Sequence, residues 1–271
     1  MIRLQPTAYS HVADLFDAYD FDRCLLHSVL DRYQDGHLLC DDAATPTAAA
    51  LFHPGRYGYL TGDPSHLLGW FPAGIAAAEI ELSDQELFVP RNSTWIGHLH
   101  AAFGDRLKRD VYEYFTFTES RLDWIWRWQD RVPEGMQVQR MDAELARRAQ
   151  EQKTLPVATG ANWGSHKRFV QSGFGFVVVA GEDTLAAAIS TFAIGSGEAE
   201  IDITTAIDFR RQGMATLMGC AFVAHCLKHD LTPSWTANYG NSGSTATARR
   251  LGFVDRFALP CFTIDATEES P

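Results

Sequence analysis

The sequence has few cysteines and no long apolar run, and these absences narrow what the protein can be. Its five cysteines form no CxxC pair, which argues against a disulfide framework or a zinc site and favours free thiols in a reducing compartment. No apolar stretch approaches the ~20 residues that a membrane span requires. No apolar secretory segment follows Met1–Pro6. We therefore expect a cytoplasmic protein with no membrane partner.

Basic residues are also scarce. The chain of 271 residues carries 23 Lys and Arg against 34 Asp and Glu, so its formal net charge is −11. Residues 1–130 account for −9 of this net charge. An acidic body repels phosphate backbones, which makes nucleic acid a poor partner. A cationic small molecule would be attracted, although the same charge would also serve solubility alone.

A turn signal divides the chain near its middle. The run Val132–Gly135 reads Val-Pro-Glu-Gly, and the alternating run Met136–Met141 after it predicts a strand. Asp142 is a suitable N-cap for a helix over Ala143–Gln152. We place a domain boundary near 131–135, with a smaller α/β domain at 1–131 and a second domain at 136–265.

The second half alternates predicted strands and helices, which indicates a mixed sheet with helices on its faces. Its strands are expected at Phe176–Ala180, Leu185–Phe192, Glu198–Ala206, Trp235–Asn238 and Phe257–Ile264, and its helices at Trp163–Gln171, Met214–His229 and Ser242–Leu251.

The first half gives weaker signals. We expect helices over His11–Tyr33 and Asn92–Phe103, a strand over Tyr112–Thr118, and a hairpin of Thr47–Phe52 with Arg56–Thr61. The alanine-rich hairpin strand resembles Ala186–Ser190, 138 residues later. This faint internal repeat suggests that both halves descend from one plan.

One stretch of the second half carries chemistry. A strand ends, the loop Arg210–Ala215 reads Arg-x-x-Gly-x-Ala, and a helix follows. Backbone N–H groups at a helix start, together with the helix dipole, bind anions. Gly213 permits unusual dihedrals and close approach of a phosphate, and Arg211 adds charge. The run lacks the Gly-Lys-Ser/Thr ending of a P-loop and the third glycine of a dinucleotide fingerprint.

The order of motifs around this loop is more specific than the loop itself. After the long helix come a strand, the run Asn241–Ser244 (Asn-x-x-Ser), a helix, and Leu-Gly-Phe at 251–253. This order resembles the GNAT superfamily of acetyl-CoA-dependent N-acetyltransferases over about residues 136–265. The run Phe169…Phe176 further resembles a two-part bacterial group whose first half is a smaller, degenerate GNAT-like domain. The resemblance implies an α/β fold with a mixed, splayed central sheet flanked by helices.

The resemblance also implies where acetyl-CoA, as co-substrate, would bind. The loop and the start of its helix would hold the pyrophosphate, the edge of the preceding strand would pair with the pantetheine amides, and two residues of the next loop and helix would face the pantetheine arm. These residues are, in that order, Arg210, Arg211, Gln212, Gly213, Met214, Ala215 and Thr216, then Thr204, Thr205 and Ala206, then Asn241 and Ser244.

Catalytic candidates follow from the same resemblance. Several GNAT enzymes use a Glu in an Ala-Glu-Ile run as general base, which here is Glu200, and Asp202 on the same strand face is the reserve. Apolar neighbours would raise the pKa of such a carboxyl. Many relatives place a Tyr as general acid where Ala248 stands here. Tyr239 is a possible substitute, or the thiolate leaves without an acid.

These observations predict an acyltransferase that moves acetyl from acetyl-CoA to a primary amine, expected to belong to a small cationic molecule, by direct attack in a ternary complex. The alternatives are a non-catalytic acyl-CoA-binding or regulatory module, which Ala248 favours, and an enzyme that acetylates protein amines. We expect no metal, because pairs such as His225 and His229 lack a third ligand. A monomer and a homodimer both remain open.

Overall fold

A computed structural model describes residues 1–65, 80–91, 93–153 and 155–265 of the chain. The protein forms two compact units. The first consists of Met1–Tyr112 with Leu259–Pro271, and the second consists of Glu113–Ala258. This division reflects packing, and the domain boundary placed near 131–135 stays a prediction.

Among the described residues of the first unit, five strands lie side by side in sequence order: β1 (Ile2–Arg3), β2 (His37–Cys40), β3 (Ala48–His53), β4 (Tyr57–Gly62) and β5 (Glu86–Phe88). The first three pairings are antiparallel and the pairing of β4 with β5 is parallel. Strands β3 and β4 form the predicted hairpin, which is confirmed.

The helices of the first unit are shorter than predicted. Two 3-10 helices, Pro6–His11 and Ala13–Ala18, precede α1 (Arg23–Leu30). The prediction of one helix over His11–Tyr33 is therefore wrong. The backbone leaves helical geometry at Val12 (φ −121°) and at Asp22, whose φ is +50°. Buried apolar residues spaced three and four apart suit tight 3-10 turns as well as an α-helix.

A further helix of the first unit, α2 (Trp95–Phe103), agrees with the prediction at its end but begins three residues later. Asn92, the first residue of the predicted helix, lies outside the described residues. Trp95 and Leu99 enter the core of the unit together with β3, β4 and β5.

The second unit repeats the strand arrangement of the first. Its strands are β7 (Met136–Arg140), β8 (Gly175–Ala180), β9 (Thr184–Gly195), β10 (Glu198–Thr205) and β11 (Thr232–Asn238). They lie in sequence order, with three antiparallel pairings followed by a parallel one. The internal repeat is visible here, because β3 and β9 hold the same third position in their sheets.

Helices cover both faces of the second sheet, which confirms the predicted fold class. They are α3 (Leu122–Trp126), α4 (Ala143–Glu151), α5 (His166–Ser172), α6 (Met214–Lys228) and α7 (Ser242–Arg250). The Asp142 side chain accepts a hydrogen bond from Leu145 N at 2.8 Å, as expected of an N-cap. Because β-strand side chains alternate, Ala187 faces the core beneath α6, whereas Ala188 faces the core beneath α4 and α5.

Two long strands pass from one unit into the other. Strand β6 (Leu107–Phe117) begins in the first unit and ends in the second, and β12 (Phe253–Ile264) runs in the reverse order. Phe253 packs on Trp235 in the second unit, while Phe262 pairs with Leu87 in the first. The core of the first unit is thus completed by residues that follow the second unit in sequence.

Within the described residues no helix has the length and apolar character of a membrane span. The five cysteines are all buried, and none of them forms a disulfide bond. The part of the chain that the structure describes also holds no group of three or more His, Cys, Asp or Glu side chains suited to a metal ion.

Candidate functional site

The loop predicted to bind an anion joins β10 to α6. Gly213 is the N-cap of α6 with φ +84°, and Arg211 also has a positive φ of +60°. Nothing lies within 4 Å of the position that a Cβ would take at Gly213. Glycine is therefore favoured there by the positive φ angle and not by a lack of room for a side chain. The N–H groups from Met214 to Thr216 have no acceptor within the helix, and they point out of its positive end.

A cleft of about 690 Å³ opens at this loop. It lies within the second unit, between the end of β10, the start of α6 and the start of α7. Ten of the twelve residues predicted to contact acetyl-CoA line it, namely Thr204, Thr205, Arg210, Arg211, Gly213, Met214, Ala215, Thr216, Asn241 and Ser244. The other two do not. Ala206 is buried beside the loop, and Gln212 donates from Nε2 to Asp208 O.

Six further residues line the cleft that sequence reasoning did not assign: Ile203, Phe209, Trp235, Gly243, Thr247 and Arg250. The sequence contains an indication for Arg250, because this residue stands directly before the Leu-Gly-Phe run at the end of α7. It contains no indication for Ile203 and Trp235, since each looks like an ordinary residue of a strand.

The charge of the cleft is opposite to that of the protein. Three arginines line it, Arg210, Arg211 and Arg250, and its described lining includes no acidic side chain. In a chain of net charge −11 this local excess of positive charge is distinctive. Combined with the helix N-terminus, it makes the cleft suited to a polyanion such as a diphosphate.

Several lining residues are held by hydrogen bonds of their own. Arg210 Nε donates to Thr205 O at 3.1 Å, which ties the loop to the end of β10. Asn241 Oδ1 accepts from Ser244 N at 3.2 Å and so caps α7. Trp235 Nε1 donates to Ser244 Oγ at 3.0 Å. What Asn241 and Ser244 have left for a ligand is therefore an amide NH₂ and a hydroxyl proton.

The cleft begins where two strands part. Parallel pairing of β10 with β11 extends only to Glu200, which is opposite Ser234. On its other side β10 pairs with β9 along its whole length, with one irregularity where Phe192 is unpaired opposite Glu200 and Ile201. Such a bulge bends the strand locally. The predicted splay of the sheet is present at this point.

The two candidate bases lie on β10, on the face opposite α6. Ile201 and Ile203 face the core beneath α6, so by alternation Glu200 and Asp202 face the side of α4 and α5. Glu200 is only 6% exposed, and its Oε1 accepts from Thr236 N at 2.9 Å. Asp202 Oδ2 accepts from Ala158 N at 2.8 Å, in the segment between α4 and α5.

The surroundings of Asp202 change its acidity. Burial raises the pKa of the Asp202 carboxyl to about 6, and the hydrogen bond from Ala158 N opposes this shift only in part. A carboxyl with such a pKa is ionised at neutral pH and still accepts a proton readily, which suits a general base.

The candidate acids have no place at the cleft. Tyr239 is 69% exposed and is not one of the lining residues. Ala248 is fully buried in the core of the second unit with Trp235 and Phe253, and it is not one of the lining residues. The role of Tyr239 as acid stays a prediction that the geometry does not favour.

Comparison with known proteins agrees with this geometry. The sequence profile of the family described as "GNAT acetyltransferase" matches residues 14–262. The chain belongs to the GNAT acetyltransferase family. It is 24% identical over 253 residues to the "Uncharacterized N-acetyltransferase YdfB" of Bacillus subtilis, covering 90% of this chain and 91% of that protein. The protein is therefore an acyltransferase, as predicted.

Solved GNAT structures share the fold. A GCN5-related N-acetyltransferase-like protein from Streptococcus suis aligns with a TM-score of 0.76 and 20% identity, over 95% of this chain and 98% of its own. A tandem GNAT protein from the clavulanic acid biosynthesis pathway aligns with a TM-score of 0.59 and 14% identity, over 99% of both chains. Membership of the GNAT family implies acetyl-CoA as co-substrate, and the arginine-lined cleft has the charge and the helix N-terminus that its diphosphate requires.

Proposed function

We propose that this GNAT protein transfers the acetyl group of acetyl-CoA to a primary amine of a small cationic molecule, by direct attack in a ternary complex. The observation that carries the proposal is the cleft, which joins a helix N-terminus, three arginines and the gap between β10 and β11. Few other ligands would use all three features together.

Each part of the cleft suits one part of acetyl-CoA. The N–H groups of Met214, Ala215 and Thr216, with the nearby arginines, would hold the pyrophosphate. The end of β10 at Thr204 and Thr205 would offer backbone groups to the pantetheine amides, because β11 no longer pairs there. Backbone N–H groups at the splay would also polarise the thioester carbonyl.

A base on β10 would take the proton from the attacking ammonium. The geometry supports Asp202 for this step, since its pKa is raised to about 6 and its side chain is partly exposed. The departing thiolate would need no dedicated acid, because thiols ionise near pH 8.5 and thiolates are tolerable leaving groups. This accounts for an active enzyme with alanine at position 248.

A cationic acceptor is supported by charge. Two carboxyl groups, Glu200 and Asp202, lie on the β10 face away from α6, and most of the protein's negative charge lies before residue 131. The five buried thiols suit a reducing compartment and support the proposed cytoplasmic location. A monomer or a homodimer would be compatible with a site built within one unit.

A thiol-release assay tests the proposal. Purified protein is incubated with acetyl-CoA and a panel of diamines, polyamines, aminoglycosides and neutral primary amines, and free thiol is measured over time. We expect release above the hydrolytic background with at least one cationic amine. Release with lysine peptides alone would indicate a protein-amine acetyltransferase. Tight acetyl-CoA binding without release for any amine would indicate a non-catalytic module.

A further inference from the structure

Each unit contains a pair of parallel strands that stop pairing after three residues. In the first unit the pairing ends at Tyr59 and Phe88, and in the second it ends at Glu200 and Ser234. Beyond these positions a side chain, rather than backbone pairing, connects the two strands in both units.

In the first unit the connection comes from outside the two strands. The Tyr19 hydroxyl lies 2.6 Å from Leu60 O and 2.8 Å from Phe88 O, so it touches both β4 and β5 just where they part. The Tyr19 side chain is wholly buried. A phenol therefore fills the gap of the first unit.

In the second unit the connection comes from β10 itself. Glu200 Oε1 accepts the hydrogen bond of Thr236 N, two residues beyond the last paired position of β11. Thr236 N is partly buried, and a backbone N–H shielded from water is disfavoured without an acceptor, so the Glu200 carboxylate stabilises β11 at this position. Unlike the phenol of the first unit, a carboxylate spans the gap without filling it.

The spacing of these strands affects the cleft directly. Ile203, three residues after Glu200 on β10, and Trp235, the neighbour of Thr236 on β11, both line it. Trp235 also donates to Ser244 Oγ, so the position of β11 is coupled to that of α7. A change in the Glu200–Thr236 contact would be transmitted to two walls of the cleft.

We propose that Glu200 is a positioning residue whose carboxylate holds Thr236 N and thereby sets the opening between β10 and β11 in which the acyl donor binds. This inference rests on the proposed function and differs from the sequence-based assignment of Glu200 as general base. A base must reach the proton it removes, whereas Glu200 is nearly inaccessible and has an oxygen occupied by a backbone donor.

Three substitutions separate the two roles. Glu200→Gln keeps an oxygen that accepts from Thr236 N but removes the base. Glu200→Ala removes both. Asp202→Asn is the matched control, because it changes the neighbouring carboxyl on the same face and leaves the Glu200–Thr236 contact intact. For each protein we would measure the amide hydrogen exchange of Thr236, the Kd of acetyl-CoA, and kcat and KM with the best amine.

A positioning role predicts that Glu200→Gln recovers most of what Glu200→Ala loses. In Glu200→Ala we expect faster exchange at Thr236 and an acetyl-CoA Kd raised by roughly ten- to hundredfold, the effect of an orphaned buried donor. In Glu200→Gln exchange stays slow and kcat falls only a few-fold. Asp202→Asn keeps slow exchange and acetyl-CoA affinity but loses kcat.

Two results would overturn the inference. One is a loss of ~10²–10⁴ in kcat for Glu200→Gln with slow exchange at Thr236, which would identify a base. The other is unchanged exchange and unchanged acetyl-CoA affinity in Glu200→Ala. The exchange measurement requires no turnover, so it decides the role of Glu200 even if no amine is acetylated and the proposed function fails.

Discussion

The two units of this protein have the same sheet but differ in what occupies its gap. Strands β1–β5 and β7–β11 share their order and the directions of all four pairings. In the first unit Tyr19 fills the gap and packs edge-on against Tyr59, at 5.6 Å between ring centroids. In the second unit the gap is bridged at one point by Glu200 and then opens into the cleft. This sheet does not by itself make a binding site.

The charges beyond the gap differ as well. In the second unit the run Arg-x-x-Gly-x-Ala and a helix follow the hairpin, and the N-terminus of this helix lines the same cleft as three arginines. The sequence of the first unit has no such run between β4 and β5. We therefore expect the chain to bind one acetyl-CoA, in the second unit.

The largest effect is expected from removing the proposed base of the second unit. Asp202→Asn should lower kcat by ~10²–10⁴, because a positioned base contributes that much. The acidic limb of the wild-type pH profile, expected near the Asp202 pKa of about 6, should disappear. Asn Oδ1 can still accept from Ala158 N, so the fold should be retained. Steady-state kinetics over pH 5–9 measures both effects.

Asp230→Asn serves as the control for this variant. Asp230 is exposed in the turn after α6, and its positive φ of +55° suits asparagine as well as aspartate. It should leave kcat and the pH profile as they are. Loss of the acidic limb in both variants, or in neither, would contradict the assignment of Asp202.

A smaller effect is expected from placing a negative charge in the anion cradle. Gly213→Asp should raise the acetyl-CoA Kd by roughly 10- to 100-fold, since like charges a few ångström apart repel by about 1–4 kcal/mol near a protein surface. Calorimetry should give one site per chain for the wild type. A second acetyl-CoA bound within residues 1–130 would contradict a single binding site in the second unit.

Gly181→Asp is the matched control for Gly213→Asp. Both glycines have positive φ, +61° at Gly181, and neither has a heavy atom within 4 Å of its would-be Cβ. The backbone strain of the two variants is therefore similar, whereas Gly181 lies in the turn between β8 and β9. Equal loss of affinity in both variants would mean that strain, and not charge at the cradle, is responsible.

Much of the second unit could be predicted from the sequence, and the reasons are local. The anion-binding loop could be predicted because its signals lie within a few residues: a backbone conformation that favours glycine at position 213, and the positive charge of the neighbouring arginines. Hairpin β3–β4 was readable for the same reason. The prediction of one helix over His11–Tyr33 is wrong because the apolar spacing only indicates that Val12 and Phe16 are buried. Both an α-helix and 3-10 turns bury residues at that spacing.

The functions of strand residues were harder to predict. Trp235 and Ile203 become cleft walls only because β10 and β11 stop pairing at Glu200, which depends on contacts 36 residues apart, such as Thr236 N to Glu200 Oε1. Likewise, Tyr19 reads as one apolar position of a helix. Its contact with Leu60 and Phe88 joins segments far apart in the chain, and no short-range pattern reports it.

A still smaller effect is expected in the gap of the first unit. Tyr19→Phe keeps the buried ring but removes the hydroxyl from Leu60 O and Phe88 O, so it should lower the free energy of unfolding by about 1–2 kcal/mol. Acetyl-CoA affinity should not change, because the site lies in the second unit. Urea denaturation and calorimetry measure the two quantities. Tyr33→Phe, at a 45% exposed tyrosine, should change neither.

The smallest effect concerns acid stability, which should differ between the units. His225 on α6 packs against Phe174, with ring centroids 4.2 Å apart, and against Phe176. Burial, and then the nearby charges of His229, Arg140 and Lys228, lower the pKa of His225 to about 4. In the first unit, burial lowers the pKa of His53 to about 3, and its ring contacts Gln34 Oε1 at 2.9 Å.

The sign of both effects is the same. Above pH 6.5 each imidazole is neutral in both the folded and the unfolded state. Below pH 6.5 only the unfolded chain takes up the proton. The free energy of unfolding therefore decreases as the pH is lowered, until the pKa of the folded state is reached. At pH 5 this proton uptake should lower the free energy of unfolding by about 2 kcal/mol through the fully buried His53 and by about 1 kcal/mol or less through the partly buried His225. His225→Phe keeps the ring packing and removes that proton uptake. Urea unfolding at pH 7 and pH 5 should therefore show a smaller difference for His225→Phe than for the wild type. An unchanged difference would mean that His225 does not contribute to the acid sensitivity.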